Sequence, residues 1–330
     1  MSSAPSAQEI ARDARWLAQA LDPDAGVVRL IEMDRQAYRA ASFLDDRILQ
    51  APVHAVTMPW SAVAAAIPAG ARADARWIFH IGHVGSTLIA RLLGELDGVL
   101  SVREPRILRD LVAADRRERF LAQVRKLLSR TFAADEVALV KATSFVGEIA
   151  AELVPPGGRA LFLFARPRAY IASILAGENS LKELDTLAGD RARRMAARVR
   201  GLGANTAAQL AAAAWACEMT ALEAAAEAMD DWQVLWADFD ALLADMDAAL
   251  VDLAGFFGFE AAPGRLREIA GGPLMGRYSK ALEHEYSPSL RRELIEQELR
   301  LQGRAIDDAV AMLERAATES PLLASALARR

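Results

Sequence analysis

The sequence predicts an α/β protein with three layers, in which a central parallel sheet lies between two layers of helices. From residue 77 onward, short apolar runs alternate with segments of helical periodicity, a rhythm typical of parallel sheets covered by helices. The runs that predict the strands are WIFHI, GVLSV, VALVKA, ALFLFA and QVLWAD. The 330 residues are 53% hydrophobic and 25% charged, which is enough apolar material for a large core.

The composition also limits the classes of function. A formal net charge of -5 argues against a general nucleic-acid binder, because such proteins usually carry a broad basic surface. Cys217 is the only cysteine and the histidines lack metal-ligand spacing, so neither an intrachain disulfide nor a metal site is expected. The first residues lack a signal-peptide pattern, and no apolar run approaches the roughly 20 residues of a membrane span. We therefore expect a cytoplasmic protein without a membrane span.

The chain divides into two parts at the start of the first predicted strand. Residues 1–75 predict an N-terminal appendage of short helical patterns, to which the sequence assigns no chemistry. Residues 76–330 predict the main domain together with C-terminal helices. Within that domain, residues 239–257 repeat apolar positions at helical spacing and stop at Gly258, a suitable residue for a helix C-cap.

A turn rich in glycine follows the first predicted strand, within the sequence WIFHIGHVGSTLIARLL. Gly82 and Gly85 allow a tight turn, and Ser86 and Thr87 open a helix. The first amides of a helix lack partners and its dipole favours negative charge, so this turn predicts a phosphate site. A Walker A loop needs wider glycine spacing and a lysine before Ser86, which disfavours an ATP or GTP hydrolase. The alternative is a turn that serves only packing.

The string HVGST, which begins at His83, resembles the phosphosulfate-binding loop of the sulfotransferase family. The resemblance implies a P-loop nucleoside triphosphate hydrolase-like architecture and a donor co-substrate, 3′-phosphoadenosine 5′-phosphosulfate, with no metal. His83 occupies the position where that family has a catalytic lysine or arginine, although histidine is largely neutral at pH 7 without a nearby anion. The implied nucleotide-binding residues of this segment are Gly82, Gly85, Ser86, Thr87 and Leu88.

Two further segments resemble the catalytic part of that family. GVLSVREP places Glu104 just after the second strand, and in several bacterial members the corresponding glutamate is the base for the acceptor hydroxyl. The alternative is an acidic residue that starts a helix. LVKATSF ends a strand with Lys141, which the resemblance implies stabilises the leaving oxygen, the alternative being a surface lysine. Thr143 stands where the family sometimes has a histidine.

The last two similar segments concern the 3′-phosphate of the donor. In LFLFARPRAYIAS the resemblance implies Arg166 and Ser173 as its ligands, although their spacing is one residue shorter than usual and Arg168 is a substitute. GGPLMGRYSKALEH places Arg277 and Lys280 where the family closes a loop over the nucleotide. The alternative for this stretch is a surface loop.

The resemblance spans residues 77–290 and implies a sulfotransferase that moves a sulfuryl group to a hydroxyl or amine of a small-molecule or peptide acceptor. Two alternatives stay open. One is a non-catalytic protein of this fold that binds a nucleotide or a partner, and the other is a degenerate P-loop kinase or nucleotide hydrolase. Arg103, Arg106 and Arg109 near Glu104 either indicate an anionic acceptor or are helix-surface charges. The oligomeric state is not predicted.

Overall fold

The structure is a computed structural model that describes residues 4–277 and 287–329. Its strands are β1 (Trp16–Asp22), β2 (Val27–Glu32), β3 (Ala55–Pro59), β4 (Arg76–His80), β5 (Val99–Arg103), β6 (Val137–Lys141), β7 (Arg159–Phe164) and β8 (Val234–Asp238). Its helices are α1 (Ala7–Arg12), α2 (Arg35–Ala40), α3 (Trp60–Ala66), α4 (Ser86–Leu93), α5 (Ile107–Ala113), α6 (Glu118–Leu128), α7 (Ala150–Leu153), α8 (Pro167–Leu175), α9 (Glu178–Met195), α10 (Ala207–Glu227), α11 (Phe239–Ala244), α12 (Met246–Phe257), α13 (Arg265–Ala270), α14 (Pro288–Ala317) and α15 (Pro321–Ala328).

The central sheet has the strand order β5-β6-β4-β7-β8, and every neighbouring pair is parallel. These are the strands that the five apolar runs predict, so the predicted α/β fold with a central parallel sheet is confirmed. The connection from β4 to β5 crosses the sheet in the opposite direction to the later connections. Right-handed crossovers therefore place α4 on one face of the sheet and the helices from α5 to α10 on the other.

The strands β5, β6 and β7 are largely buried because helices cover both faces of the sheet. Every residue of β5 is buried, and β6 and β7 each leave only their first residue partly exposed. An aromatic row crosses from β4 to β7, in which Trp77 stacks on Phe79 and Phe79 meets Phe162 edge to face, with ring centroids 5.8 Å apart at each step. Since the strands are parallel, their carboxyl ends meet at one edge of the sheet, and the polar residues that follow them gather there.

The N-terminal segment differs from its prediction of short helices alone. It contains a three-stranded antiparallel sheet, β1-β2-β3, besides its helices. The strands lack the alternation of apolar and polar residues that would reveal them, since β1 buries Gln19 among apolar neighbours. The amide of Gln19 is satisfied internally, because it donates to the Leu44 carbonyl at 3.3 Å and accepts from Arg29 at 2.7 Å. The domain boundary at residue 75 stays a prediction.

Two buried arginines from the part of the chain that follows the N-terminal segment join the two parts. Arg103 at the end of β5 donates to the backbone carbonyl of Ala41 at 3.0 Å, and burial lowers its pKa to about 9. Arg130 after α6 donates to the carbonyl of Trp16 at 2.5 Å, and burial lowers its pKa to about 10. The guanidinium of Arg103 is thus a structural link that is occupied by backbone carbonyls of the N-terminal segment, which removes it from the arginines considered for an anionic acceptor.

The predicted end of a helix at Gly258 is confirmed. Gly258 has φ +71° and its amide N–H donates to the Ala254 and Gly255 carbonyls that α12 leaves open. The predicted single helix is however divided, because Asp245 has non-helical backbone and caps α12 by accepting the amide of Ala248 at 3.1 Å. Within the described part of the chain, none of the helices combines the length and the apolar character needed to cross a membrane.

Candidate functional site

The turn of residues 82–87, here named the glycine turn, joins β4 to α4. Its backbone is left-handed at three positions, with φ of +82° at Gly82, +54° at His83 and +61° at Gly85. His80 holds the turn in place, since its Nδ1 accepts the amide N–H of Gly82 at 2.9 Å. Its Nε2 contacts the carbonyl oxygen of Ala142 at 2.9 Å. Because a carbonyl can only accept, the imidazole proton lies on Nε2 and the turn is tied to the segment after β6.

Gly85 is required by space as well as by backbone conformation. A Cβ added to Gly85 would lie 1.9 Å from Cζ of Phe239, the first residue of α11. At Gly82 the nearest side-chain atom to an added Cβ, on Ser144, is 3.9 Å away, so that position needs glycine for its φ alone. The ring of Phe239, which is 2% exposed, therefore packs directly against the turn at Gly85. The sequence predicts the glycines, but Phe239 comes from a helix more than a hundred residues later.

The start of α4 is free of side-chain capping. Gly85 is its N-cap residue, and a glycine has no side chain with which to accept a hydrogen bond from the first amides. The hydroxyl-bearing residues Ser86 and Thr87 are 5% and 1% exposed. Unsatisfied amides at the start of a helix attract anions, and here they open onto a cavity that both residues line. Leu88 also lines the cavity, although its side chain is only 2% exposed.

Lys141 and Glu104 form a buried ion pair beside the glycine turn. Nζ of Lys141 donates to Oε1 of Glu104 and lies 3.3 Å from Oγ1 of Thr87. Lys141 is 1% exposed and Glu104 is 7% exposed, which excludes the interpretation of Lys141 as a surface lysine. The structure thus brings together the predicted base, the predicted cation and the predicted phosphate loop, because β5 and β6 are neighbours and end at the same edge. Their roles in catalysis stay predictions.

Glu104 has an unusual backbone. Its φ is +51°, a left-handed value that non-glycine residues rarely adopt, and its amide N–H donates to the carbonyl of Lys141 at 2.7 Å. Glu104 precedes α5 without belonging to it, so the alternative of an acid that starts this helix does not describe its environment. Strained residues of this kind concentrate at functional sites, where the surroundings hold them in place.

A second cation reaches Glu104 from the N-terminal segment. Nη2 of Arg47 lies 3.2 Å from Oε2 of Glu104, and its Nε donates to Oδ1 of Asp45 at 2.8 Å. The guanidinium of Arg47 stacks on Phe43, with 3.3 Å between Cζ and the ring centroid. The segment for which the sequence assigned no chemistry therefore lines the cavity with Phe43, Asp45 and Arg47.

His83 contacts α9. Its Nδ1 is 3.4 Å from Oγ of Ser180 and its Nε2 is 3.4 Å from Oε2 of Glu183. The hydrogen bond with His83 lowers the pKa of Glu183 to about 2, with the charges of His83 and Arg191 acting in the same sense and partial burial opposing them. His83, which stands where the sulfotransferase family has a lysine or arginine, is therefore part of a polar cluster that includes a carboxylate. The catalytic role that the resemblance implies for His83 stays a prediction.

This contact predicts a dependence of stability on acid pH. The pKa of Glu183 is lowered from 4.5 to about 2 in the folded protein. Its contribution to the free energy of unfolding is therefore present above about pH 4.5 and is lost as the pH falls toward 2. Because the side chain is 43% exposed, solvent screening reduces the contribution to about 1 kcal/mol. Urea unfolding from about pH 6 to about pH 3 should show a steeper loss of stability in the wild type than in Glu183→Gln. Glu178→Gln, 82% exposed on the same helix, is the control, and parallel curves for wild type and Glu183→Gln would contradict the prediction.

The residues predicted to hold the 3′-phosphate are separated. Ser173 lines the cavity, and its Oγ donates to the carbonyl of Tyr170 at 2.8 Å. Arg166 is not among the cavity-lining residues of the described chain, and its Nε donates to Oδ2 of Asp238 at 3.2 Å. Arg277 lines the cavity, whereas Lys280 lies outside the described residues.

The proposed substitute Arg168 forms an ion pair with Asp307 on α14. It is not among the cavity-lining residues of the described chain either. Neither arginine of the predicted 3′-phosphate segment therefore contributes to the lining, and Ser173 is the part of that prediction which the fold places at the cavity.

The cavity measures about 1100 Å³ and runs over the carboxyl edge of the sheet. Several side chains that the sequence did not single out line it, and they come from α9, α10, α11, α14 and the segment after β6. These are Phe145, Arg191, Arg194, Glu218, Phe239 and Arg291. Burial raises the pKa of Glu218 to about 7, while Arg194 and Arg191 oppose that shift. In residues 4–277 and 287–329 no cluster of three or more histidine, cysteine or acidic residues has a geometry that could hold a metal ion.

Several solved structures to which this chain is similar are sulfotransferases. The sulfotransferase domain of the curacin biosynthetic pathway is 14% identical, with 68% of this chain and 89% of that chain aligned at a TM-score of 0.44. The sulfotransferase domain of the Synechococcus PCC 7002 olefin synthase is 15% identical, with 67% of this chain and 86% of that chain aligned at a TM-score of 0.42. A mouse sulfotransferase complexed with PAP is 11% identical, with 78% of this chain and 89% of that chain aligned at a TM-score of 0.41. No protein-family model and no curated protein matches the chain. The chain is similar in its fold to these sulfotransferases.

Proposed function

We propose that the protein is a sulfotransferase that moves a sulfuryl group from 3′-phosphoadenosine 5′-phosphosulfate to a hydroxyl or amine acceptor. The observation that carries the proposal is the buried pair of Lys141 and Glu104 beside Thr87 of the glycine turn. An anion-binding turn, a cation and a carboxylate then meet within one cavity, and sulfuryl transfer needs these three groups.

The chain's residues fit the donor. The left-handed backbone of the glycine turn and the uncapped start of α4 form a cradle for the 5′-phosphosulfate, which a Cβ on Gly85 would disturb. Ser86 and Thr87 supply hydroxyl groups to the same cradle. Ser173 and Arg277 line the cavity further along and are assigned to the 3′-phosphate.

When bound, the donor supplies the sulfuryl group, and this chain's residues position the groups around it. Glu104 receives the proton of the acceptor hydroxyl as the acceptor oxygen bonds to sulfur. Lys141 stabilises the negative charge that the leaving phosphate oxygen gains when its bond to sulfur breaks. Arg47 holds the second oxygen of Glu104 and so orients the carboxylate.

Binding of 3′,5′-bisphosphoadenosine (PAP), measured by calorimetry, tests the proposal. Thr87→Val keeps the shape of the side chain but removes the hydroxyl, and we expect it to weaken PAP binding about 10-fold or more, as for a lost hydrogen bond to a charged group. Thr186→Val is the matched control and should bind as the wild type does, because this exposed threonine of α9 is not among the cavity-lining residues of the described chain. Absence of binding to wild-type protein at millimolar PAP would overturn the proposed function.

A non-catalytic nucleotide-binding protein is the second candidate. Two observations favour it. Glu104, the assigned base, already pairs with two cations, and His83, assigned to catalysis, already contacts Glu183. Both candidates require PAP binding. A mass-spectrometric screen of acceptors with the sulfate donor separates them, because only the transferase forms a sulfated product.

A further inference from the structure

Arg291 enters the cavity from the first turns of α14. Its side chain is 12% exposed, and its Nε donates to Oδ1 of Asp240 at 2.9 Å. The guanidinium lies over the ring of Phe239, with 5.2 Å between Cζ and the ring centroid. An aspartate and an aromatic ring therefore hold this cation in one orientation, although α14 is remote in sequence from the sheet.

One nitrogen of Arg291 has no partner. Nη2 is buried and makes no hydrogen bond to any part of the chain that the structure describes. A buried donor on a charged group is costly to leave unsatisfied, because burial removes its hydration without replacing it. Since Arg291 lines the cavity, an anion bound there would supply the missing acceptor.

Arg291 is also close to the glycine turn through Phe239. The ring that Arg291 covers is the one whose Cζ would lie 1.9 Å from a Cβ on Gly85. The turn itself has histidine where a lysine or arginine would be expected, and that His83 contacts Glu183. Arg166, the arginine predicted for the 3′-phosphate, contacts Asp238 instead. The positions of His83 and Arg166 thus offer no arginine or lysine to the cavity, whereas Arg291 lines it together with Arg277.

We propose that Arg291 binds a phosphate group of the nucleotide donor and supplies a cation that the positions of His83 and Arg166 lack. The proposal rests on the proposed function. A guanidinium suits this task because its planar donors meet phosphate oxygens two at a time, and Asp240 already orients it. Asp240 is then a positioning residue, which acts on the phosphate through Arg291.

Calorimetry with PAP and with adenosine 5′-phosphate tests the assignment. We expect Arg291→Gln to weaken PAP binding about 10- to 100-fold, as for a lost charge-assisted contact, and to reduce the salt dependence of binding. Arg292→Gln, which removes the same charge from the exposed neighbour on α14, should leave affinity within about twofold of wild type. A loss with both ligands assigns Arg291 to the 5′-phosphate, and a loss with PAP alone assigns it to the 3′-phosphate.

Thermal unfolding confirms that each variant is folded. Should Arg291→Gln fail to fold, Asp240→Asn keeps the cation but replaces the charged acceptor of its Nε by a neutral, weaker one. A weaker PAP affinity in that variant supports the proposal. If the wild type binds PAP and Arg291→Gln binds it with unchanged affinity, the inference is overturned and the proposed function stands. Should Arg291→Gln not fold, unchanged affinity in Asp240→Asn has the same meaning. An equal loss in Arg292→Gln also overturns it, because the effect would then be general electrostatics. Absence of PAP binding by the wild type overturns the proposed function and this inference together.

Discussion

Gly85→Ala is expected to destabilise the protein by about 2–6 kcal/mol and to abolish measurable PAP binding. Two costs combine at this position. The backbone is left-handed, with φ +61°, which costs a non-glycine residue about 1–3 kcal/mol. The new methyl group would also lie 1.9 Å from Cζ of Phe239, and such overpacking adds about 1–3 kcal/mol as the ring or the turn moves. Urea unfolding and calorimetry with PAP measure the two effects.

Gly82→Ala is the matched control, because it shares the left-handed backbone without the collision. Its φ is +82°, and the nearest side-chain atom to the added Cβ is 3.9 Å away, so only the conformational cost applies. In the background of Phe239→Ala, which opens the space, Gly85→Ala should cost no more than Gly82→Ala does. Equal destabilisation by the two single glycine variants would show that Phe239 does not confine the turn.

Lys141→Met is expected to lower the rate of sulfuryl transfer about 100-fold or more, the size of effect found when a donor aimed at developing charge is removed. PAP affinity should fall less, because PAP carries no sulfuryl group and the charge that develops during transfer is absent. Transfer is measured with labelled donor and the acceptor identified by the mass-spectrometric screen. Lys182→Met, 69% exposed on α9, is the matched control and should retain both activities.

The same substitution tests the ion pair through stability. Lys141→Met leaves Glu104 buried with one cation fewer, which should cost about 3–5 kcal/mol in urea unfolding. Adding Glu104→Gln removes the buried carboxylate charge that Lys141 no longer balances, so the double variant should be more stable than Lys141→Met alone. Transfer at the wild-type rate in a folded Lys141→Met protein would contradict the role assigned to the lysine.

The central sheet could be predicted because its strands are buried on both faces and therefore read as continuous apolar runs. The N-terminal sheet could not, because β1 buries a glutamine and thus lacks the period of two that reveals a strand. Glu104 and Lys141 could be predicted as neighbours of the glycine turn from their places after predicted parallel strands. Arg47 and Arg291 could not, since neither lies near a motif and each reaches the cavity from outside the segments that carry the main resemblance.

The sequence by itself determined the alternation of strands and helices, the left-handed turn that Gly82 and Gly85 permit, and the polar residues that end the strands. These are local properties, decided by backbone conformation and by the period of apolar residues. Only the tertiary structure decided which charges meet. It placed Arg47 on Glu104, Glu183 on His83 and Arg291 above Phe239, because contacts between distant segments depend on packing that no short stretch of sequence encodes.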